Sequence, residues 1–267
     1  MTIEVLICTI GEGIKKTVNV LACARADVKY LISFQITRDS DLKLVPDVLN
    51  KRSDVSLFPV YGIGLSANRN HAISHSTGDV VVFADDDNRY TWEYFDTLLN
   101  IFGKNPQADV ICFRSVLYDG RLQRKFPDFS FDVKFPPKGY YVRSCEIALR
   151  NNGNYPEFDT NFGLGSEYLA CGEEEVYVHD LIKSGFKVIY CPVTAVGTAS
   201  NTTGAMFLTS ASVRRSKGAV LSAIHGCWGA LPRLLKYAVF NVKGMSRLKA
   251  LYDMLSGVVY AKKIGRC

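Results

Sequence analysis

Five apolar residues, Val80-Val81-Val82-Phe83-Ala84, run without interruption into three aspartates, Asp85-Asp86-Asp87. A strand with no polar residue at alternate positions is apolar on both faces, so it belongs in the middle of a sheet covered on both sides. Three like charges at its carboxyl end are costly unless something positive sits there. Residues two apart in a strand project to the same side, so Asp85 and Asp87 can approach one cation together if the extended geometry persists. Carboxylate oxygens suit Mg2+ or Mn2+, ions that usually bridge protein and phosphate. The carboxyl end of a central strand is also where open α/β sheets bind ligands. The competing reading is an acidic turn that caps the following helix.

The rest of the pattern fits such a sheet. Apolar runs at 5–9, 28–37, 55–60, 109–113 and 186–191 read as strands. Helical spacing at 14–24, 67–76 (with Ser66 as cap), 92–102 and 173–184 alternates with them. Alternation of this kind predicts an α/β fold, a mostly parallel central sheet flanked by helices. Residues 118–160, rich in Pro, Gly and aromatics, read as an irregular surface insertion or acceptor loop. The pattern divides the chain into a main domain over 1–213 and a basic helical segment over 214–267.

Charge marks the second of these off. From Arg214 onward eleven basic residues face one acid, Asp253, a balance of +10, which leaves −4 for the preceding residues of a chain whose total is +6. Two apolar, basic segments, 219–242 and 248–259, are interrupted by Gly229, Pro232 and Gly244. Trp228, Leu231, Leu234, Leu235, Val239 and Phe240 would form an apolar face. Such a helix can lie in a bilayer interface with its cations on anionic lipid; the alternative is a packed helix pair with a solvated basic rim. No run of about 18 apolar residues predicts a membrane span. No basic leader with a cleavage site precedes the first strand, and the eight scattered cysteines, with no C-x-x-C pair, read as reduced thiols of a cytosolic protein.

Two further constellations carry chemistry. Arg69, in Ser66-Ala67-Asn68-Arg69-Asn70, can turn a fixed charge towards a diphosphate, or else pair at the surface with Asp79 or Asp41. Glu173-Glu174-Glu175 opens a helix, where acids meet the macrodipole favourably. A carboxylate near other acids and partly desolvated can also serve as a general base for an alcohol. Gly11-Glu12-Gly13 lacks the third glycine of a dinucleotide fingerprint, and His71 and His75 lack the glutamate and third ligand of a zinc hydrolase.

In order and spacing, Ile7-Cys8-Thr9-Ile10-Gly11, Gly64-Leu65-Ser66-Ala67-Asn68-Arg69-Asn70, the Asp85-Asp86-Asp87 strand, and Phe162-Gly163-Leu164-Gly165-Ser166 with Gly172-Glu173-Glu174 resemble the family 2 glycosyltransferases of GT-A fold, the bacterial surface-polysaccharide type above all. The likeness spans roughly residues 3–200. It implies an inverting transfer of sugar from a nucleoside-diphosphate donor, UDP-linked by preference, to a hydroxyl of a glycan or lipid-linked acceptor. It places Thr9 near the nucleobase, Arg69 towards the diphosphate, and Asp86 and Asp87 in the nucleotide–metal motif. The resemblance makes Asp87 the expected metal ligand, with Asp85 beside it, and Mn2+ or Mg2+ the expected cofactor. Glu174, or its neighbour Glu173, is the catalytic base, where aspartate is commoner. The second strand ends Ser33-Phe34-Gln35-Ile36-Thr37, without the aspartates many relatives carry, and Thr198 stands where many have histidine. The expected location is the cytoplasm, peripheral on the inner membrane surface. The competing classes are a nucleotidyltransferase, for which Gly11-Glu12-Gly13-Ile14-Lys15-Lys16 is a poor glycine–lysine loop, and a non-catalytic membrane-bound scaffold. No nucleic-acid-binding signature is present.

Overall fold

The computed structural model describes residues 1–199 and 203–267. They form two compact units: one of residues 1–63, 67–157 and 180–199, the other of 64–66, 158–179 and 203–267.

The first unit holds one eight-stranded sheet. Its strands are β1 (Ile3–Ile10), β2 (Val28–Ile36), β3 (Val55–Tyr61), β4 (Val80–Asp85), β5 (Val110–Leu117), β6 (Phe131–Asp132), β7 (Ile147–Arg150) and β8 (Val188–Thr198). Their spatial order is β3-β2-β1-β4-β7-β5-β8-β6. The pairs β1–β2, β2–β3, β1–β4 and β5–β8 are parallel; β4–β7, β5–β7 and β6–β8 are antiparallel. As the unbroken apolar run predicts, β4 is paired on both edges, and Val80 to Ala84 are buried. Helix α3 (Trp92–Lys104), capped by the Thr91 hydroxyl, buries Phe95, Leu98, Ile101 and Phe102 in the core shared with β1, β2 and β4. A short α1 (Asp47–Asn50) and α2 (Leu65–Ser74) precede it in the chain.

Three expectations are corrected here. The 118–160 stretch is not a surface insertion throughout: its residues 147–150 are β7, the antiparallel strand that joins β4 to β5 in mid-sheet. Four residues are too few to show a period, so neither hydropathy nor spacing announces them. The segment after β1 winds as a 3-10 helix, Gly11–Asn19, rather than an α-helix over 14–24. Ser66 lies inside α2 instead of capping it, and its hydroxyl donates to the Phe162 carbonyl at 2.7 Å.

In the second unit, α4 (Glu173–Lys183) contributes its first turns, followed by α5 (Ala211–Phe240) and α6 (Arg247–Lys263). The break in α5 falls at Gly226, whose φ of 72° is left-handed, and the helix continues through Gly229 and Pro232. α5 and α6 pack at close range: a Cβ on Gly218 would collide with the Met254 carbonyl, and one on Gly257 with the Arg215 carbonyl. Arg214 and Asp253, both buried, form an ion pair at 2.7 Å, and Arg214 also donates to the Phe207 and Leu208 carbonyls. The expected single apolar face is divided. Leu234 turns inward with Ala230 and Ala238 against Met254 and Val258, while Trp228, Leu235, Val239 and Phe240 are exposed. Cys227 and Cys267 form a disulfide, against the expectation of eight thiols, because the packing of α5 and α6 brings residues 40 apart in sequence together. The cysteine pattern therefore no longer argues for a reducing compartment. The other six are free cysteines.

Candidate active site

The aspartate triplet sits where β4 leaves the sheet. A tight turn closes it: Asn88 N–H donates to the Asp85 carbonyl at 3.1 Å, and Asp85 N–H donates to Asn88 Oδ1 at 2.8 Å. Asn88 is fully buried, so this turn is fixed from within. Each aspartate then meets a different neighbour. Asp85 Oδ1 lies 3.3 Å from Arg69 Nη2, which also donates to Ser144 Oγ at 2.7 Å. Asp86 Oδ2 accepts from Thr9 Oγ1 at 2.9 Å. The Asp87 carbonyl accepts from the Tyr118 hydroxyl.

Arg69 is not at the surface. It is 2% exposed, and its partner is Asp85 rather than Asp79 or Asp41, which bond Thr2 and Arg38 respectively. Its neighbour Asn68 donates to the Thr9 carbonyl at 3.0 Å, so one stretch of α2 fixes both the end of β1 and the end of β4. Gly13 does have a structural role, though not as a dinucleotide fingerprint. A Cβ there would collide with Asp86 Oδ2 and Thr9 Oγ1, so the 3-10 helix can cross the Thr9–Asp86 pair only with glycine.

The electrostatics follow from this placement. Burial raises the Asp86 carboxyl above the usual carboxylate range, opposed by the Thr9 hydrogen bond and the Lys16 charge. Asp87 is also raised, first by burial and then by the charges of Asp85 and Asp86, with Arg143 and Lys16 pulling the other way. Burial pushes the nearby Cys8 thiol up to about 12, so it is no nucleophile at neutral pH. Half-buried oxygen donors whose ionisation is opposed by burial and by each other fit a hard divalent cation, which would relieve both penalties. Among the described residues no group of three or more His, Cys, Asp or Glu is placed to hold an ion by itself. An ion here would take its remaining ligands from phosphate and water.

The glutamates belong to the second unit. Glu173 and Glu174 open α4 behind Gly172, whose φ is 92°. Glu173 is buried, and a Cβ on Gly163 would come within 3.1 Å of its Cδ and of Ser66 Oγ; Glu174 is half-buried. Thr9, Arg69, Asp85, Asp86 and Asp87 are thus gathered in one unit, and Glu173 and Glu174 lie in the other. Sequence reasoning missed Lys16, Tyr118 and Arg143. Nothing in their local spacing marks them: Lys16 lies on the 3-10 helix Gly11–Asn19, Tyr118 just after β5, and Arg143 just before the turn Ser144–Glu146. The His71 and His75 rings lie tilted against each other with centroids 4.5 Å apart, and His71 Nδ1 lies 2.7 Å from Ser33 Oγ, a packing arrangement.

Residues 37–158 match the family model described as Glycosyl transferase family 2. No curated protein matches the chain. Among solved structures, S. aureus TarS 1-349 superposes with a TM-score of 0.58 at 14% identity, over 97% of this chain and 81% of that one. The same fragment in complex with UDP-GlcNAc gives 0.58 at 16% identity, over 97% and 82%. Its complex with UDP gives 0.57 at 14% identity, over 98% and 87%. At these identities the likeness establishes the fold, and the fold is GT-A.

Proposed function

We propose that this protein transfers a sugar from a nucleoside-diphosphate donor, UDP-linked by preference, to a hydroxyl of a glycan or lipid-linked acceptor, with inversion, in surface-polysaccharide synthesis. The observation that carries the reading is the pair of half-buried, electrostatically strained carboxylates, Asp86 and Asp87, at the tip of a doubly paired central strand in a GT-A fold. The UDP and UDP-GlcNAc bound by TarS support a nucleotide-sugar donor here.

In this reading Asp87, with Asp85, holds Mg2+ or Mn2+. When bound, the ion neutralises charge on the departing diphosphate. Arg69, fixed by Ser144 and Asp85, keeps a permanent positive charge beside the carboxylates. Thr9 orients Asp86 through its hydroxyl and lines the nucleoside end. Glu174, with Glu173 packed beside it, takes the acceptor's proton. General base help of this kind is worth about 10²–10⁴-fold. The test is calorimetric titration of UDP-sugars with and without Mn2+, alongside a transfer assay. Binding that requires the metal and is lost in Asp87→Ala supports the reading. A wild-type protein that binds no nucleoside diphosphate ends it and leaves a scaffold.

The proposal includes a membrane surface as the working place. Among the described residues no helix is long and apolar enough to cross a bilayer. Yet Trp228, Phe240, Leu248, Tyr252 and Val259 are each more than two-thirds exposed on α5 and α6. The one acid of this segment, Asp253, is buried against Arg214, so the outward charge is wholly basic. Apolar side chains among lysines and arginines fit the anionic cytoplasmic leaflet. Sedimentation with vesicles containing phosphatidylglycerol tests this; equal recovery with neutral vesicles at low salt would reject it.

A further inference from the structure

We infer that Arg143 is a further catalytic residue, whose guanidinium, braced by Thr198, contacts the donor's diphosphate as the bond to the sugar breaks. This rests on the glycosyltransferase reading and adds to it a group that no sequence pattern marks.

Arg143 immediately precedes the 3-10 turn Ser144–Glu146, which leads into β7. That turn is built around a fully buried carboxylate. Glu146 takes a forked ion pair from Arg124, both contacts at 2.6 Å, and accepts from Ser115 Oγ at 2.7 Å and from Arg143 N–H at 3.0 Å. The main chain of Arg143 is therefore anchored, while the carboxylate that anchors it is matched to Arg124. The next residue, Ser144, receives Arg69 and so connects the turn to Asp85. From this fixed base the Arg143 side chain sends Nη2 to Thr198 Oγ1 at 3.3 Å. Thr198 is buried at the last position of β8, opposite Leu117 of β5. Gly197, next to Thr198, exchanges backbone hydrogen bonds at 2.9 Å with Arg89, just beyond the aspartate turn, so the Arg143–Thr198 contact lies beside that turn.

The Arg143 guanidinium is thus held at a strand end beside the turn that carries the carboxylates. A planar guanidinium matches two phosphate oxygens at once, which a lysine cannot do. In the transfer, the acceptor oxygen forms a bond to the anomeric carbon and its proton passes to the base. The bond from that carbon to the phosphate oxygen breaks, and its electron pair leaves with the diphosphate. Arg143 donates hydrogen bonds to the oxygens on which that charge accumulates. The bland alternative is that Arg143 only neutralises Asp87.

The experiment separates the two. Wild type, Arg143→Met, Arg143→Lys and Thr198→Val are titrated with UDP, with uridine and with Mn2+ alone, and transfer is measured under saturating donor. Melting temperatures check that each variant folds, which is expected because the anchoring contact is made by the main chain. Arg143→Met should lose roughly 10²–10³-fold in kcat, the usual scale for removing one such donor, and bind UDP about tenfold more weakly in Mn2+ buffer with uridine affinity unchanged. Lysine should restore part of the UDP affinity but little of kcat, and Thr198→Val should fall between it and wild type. Unchanged UDP affinity in Arg143→Met, or a change confined to Mn2+ alone, overturns the inference and leaves the transferase reading standing. Failure of wild type to bind UDP or any nucleotide sugar overturns both.

Discussion

The tip of β4 and the outer side of α5 and α6 depart from ordinary burial in opposite directions. At the first, Arg69 is 2% exposed and three carboxylates crowd the end of a buried strand. At the second, Trp228 is 86% exposed and Phe240 69%. Polar groups indoors and large apolar groups outdoors are the informative exceptions to the rule of hydrophobic burial. The first region withdraws charge from water so that its carboxylates favour a cation. The second leaves large apolar side chains in water among lysines and arginines. Each departure is costly by itself, and each makes sense once a partner is supplied.

Breaking that contrast should have graded consequences. The largest is expected for Glu174→Gln, which removes a proton acceptor without changing shape: transfer should fall by about 10²–10⁴-fold, while UDP-sugar affinity stays at the wild-type level by calorimetry. An active variant would move the base elsewhere. Next comes the internal charge pair of the helical unit. Asp253→Ala leaves Arg214 buried without its carboxylate, and chemical denaturation should show a loss of about 3–5 kcal/mol. The outward face is tested by Trp228→Ser with Phe240→Ser, which should cut vesicle binding about tenfold or more without lowering the melting temperature. If binding is unaffected, the exposed apolar residues are not the docking face.

The smallest effect bears on the carboxylates. Asp87 titrates above its unfolded range, so its contribution to stability is fully present below the unfolded pKa and is lost as pH rises through the folded one. Asp87→Asn removes that loss. Its melting temperature should exceed wild type by a few degrees at pH 7, and the gap should close as pH falls to about 4. A gap that is constant with pH would mean that ionisation of Asp87 is not the cause.

Legibility followed the range of the forces involved. β4, α3 and the first turn of α4 are written in contiguous residues: an apolar run, a helical stripe behind a Thr cap, an acidic helix start. Their structural bounds, Val80–Asp85, Trp92–Lys104 and Glu173–Lys183, lie close to what the pattern predicts. β7 was not legible, because a four-residue strand derives its identity from the two strands it joins. The division of the tail's apolar residues was not legible either. Helical spacing lets Leu234 and Leu235 share one broad apolar face, and only the packing of α5 on α6 decides that Leu234 is buried and Leu235 exposed.

The sequence by itself determined the fold class, the central strand with its aspartates, and the basic character of the last fifty residues, since each depends on neighbours within a turn or a strand. Tertiary structure alone decided that Arg69 pairs with Asp85, that Gly13 must be small to cross Asp86, that Cys227 meets Cys267, and that Arg143 bonds Thr198. Those pairings join residues 16 or more positions apart. Their distances are set by how sheet, turn and helix close on one another, a quantity that no local pattern contains.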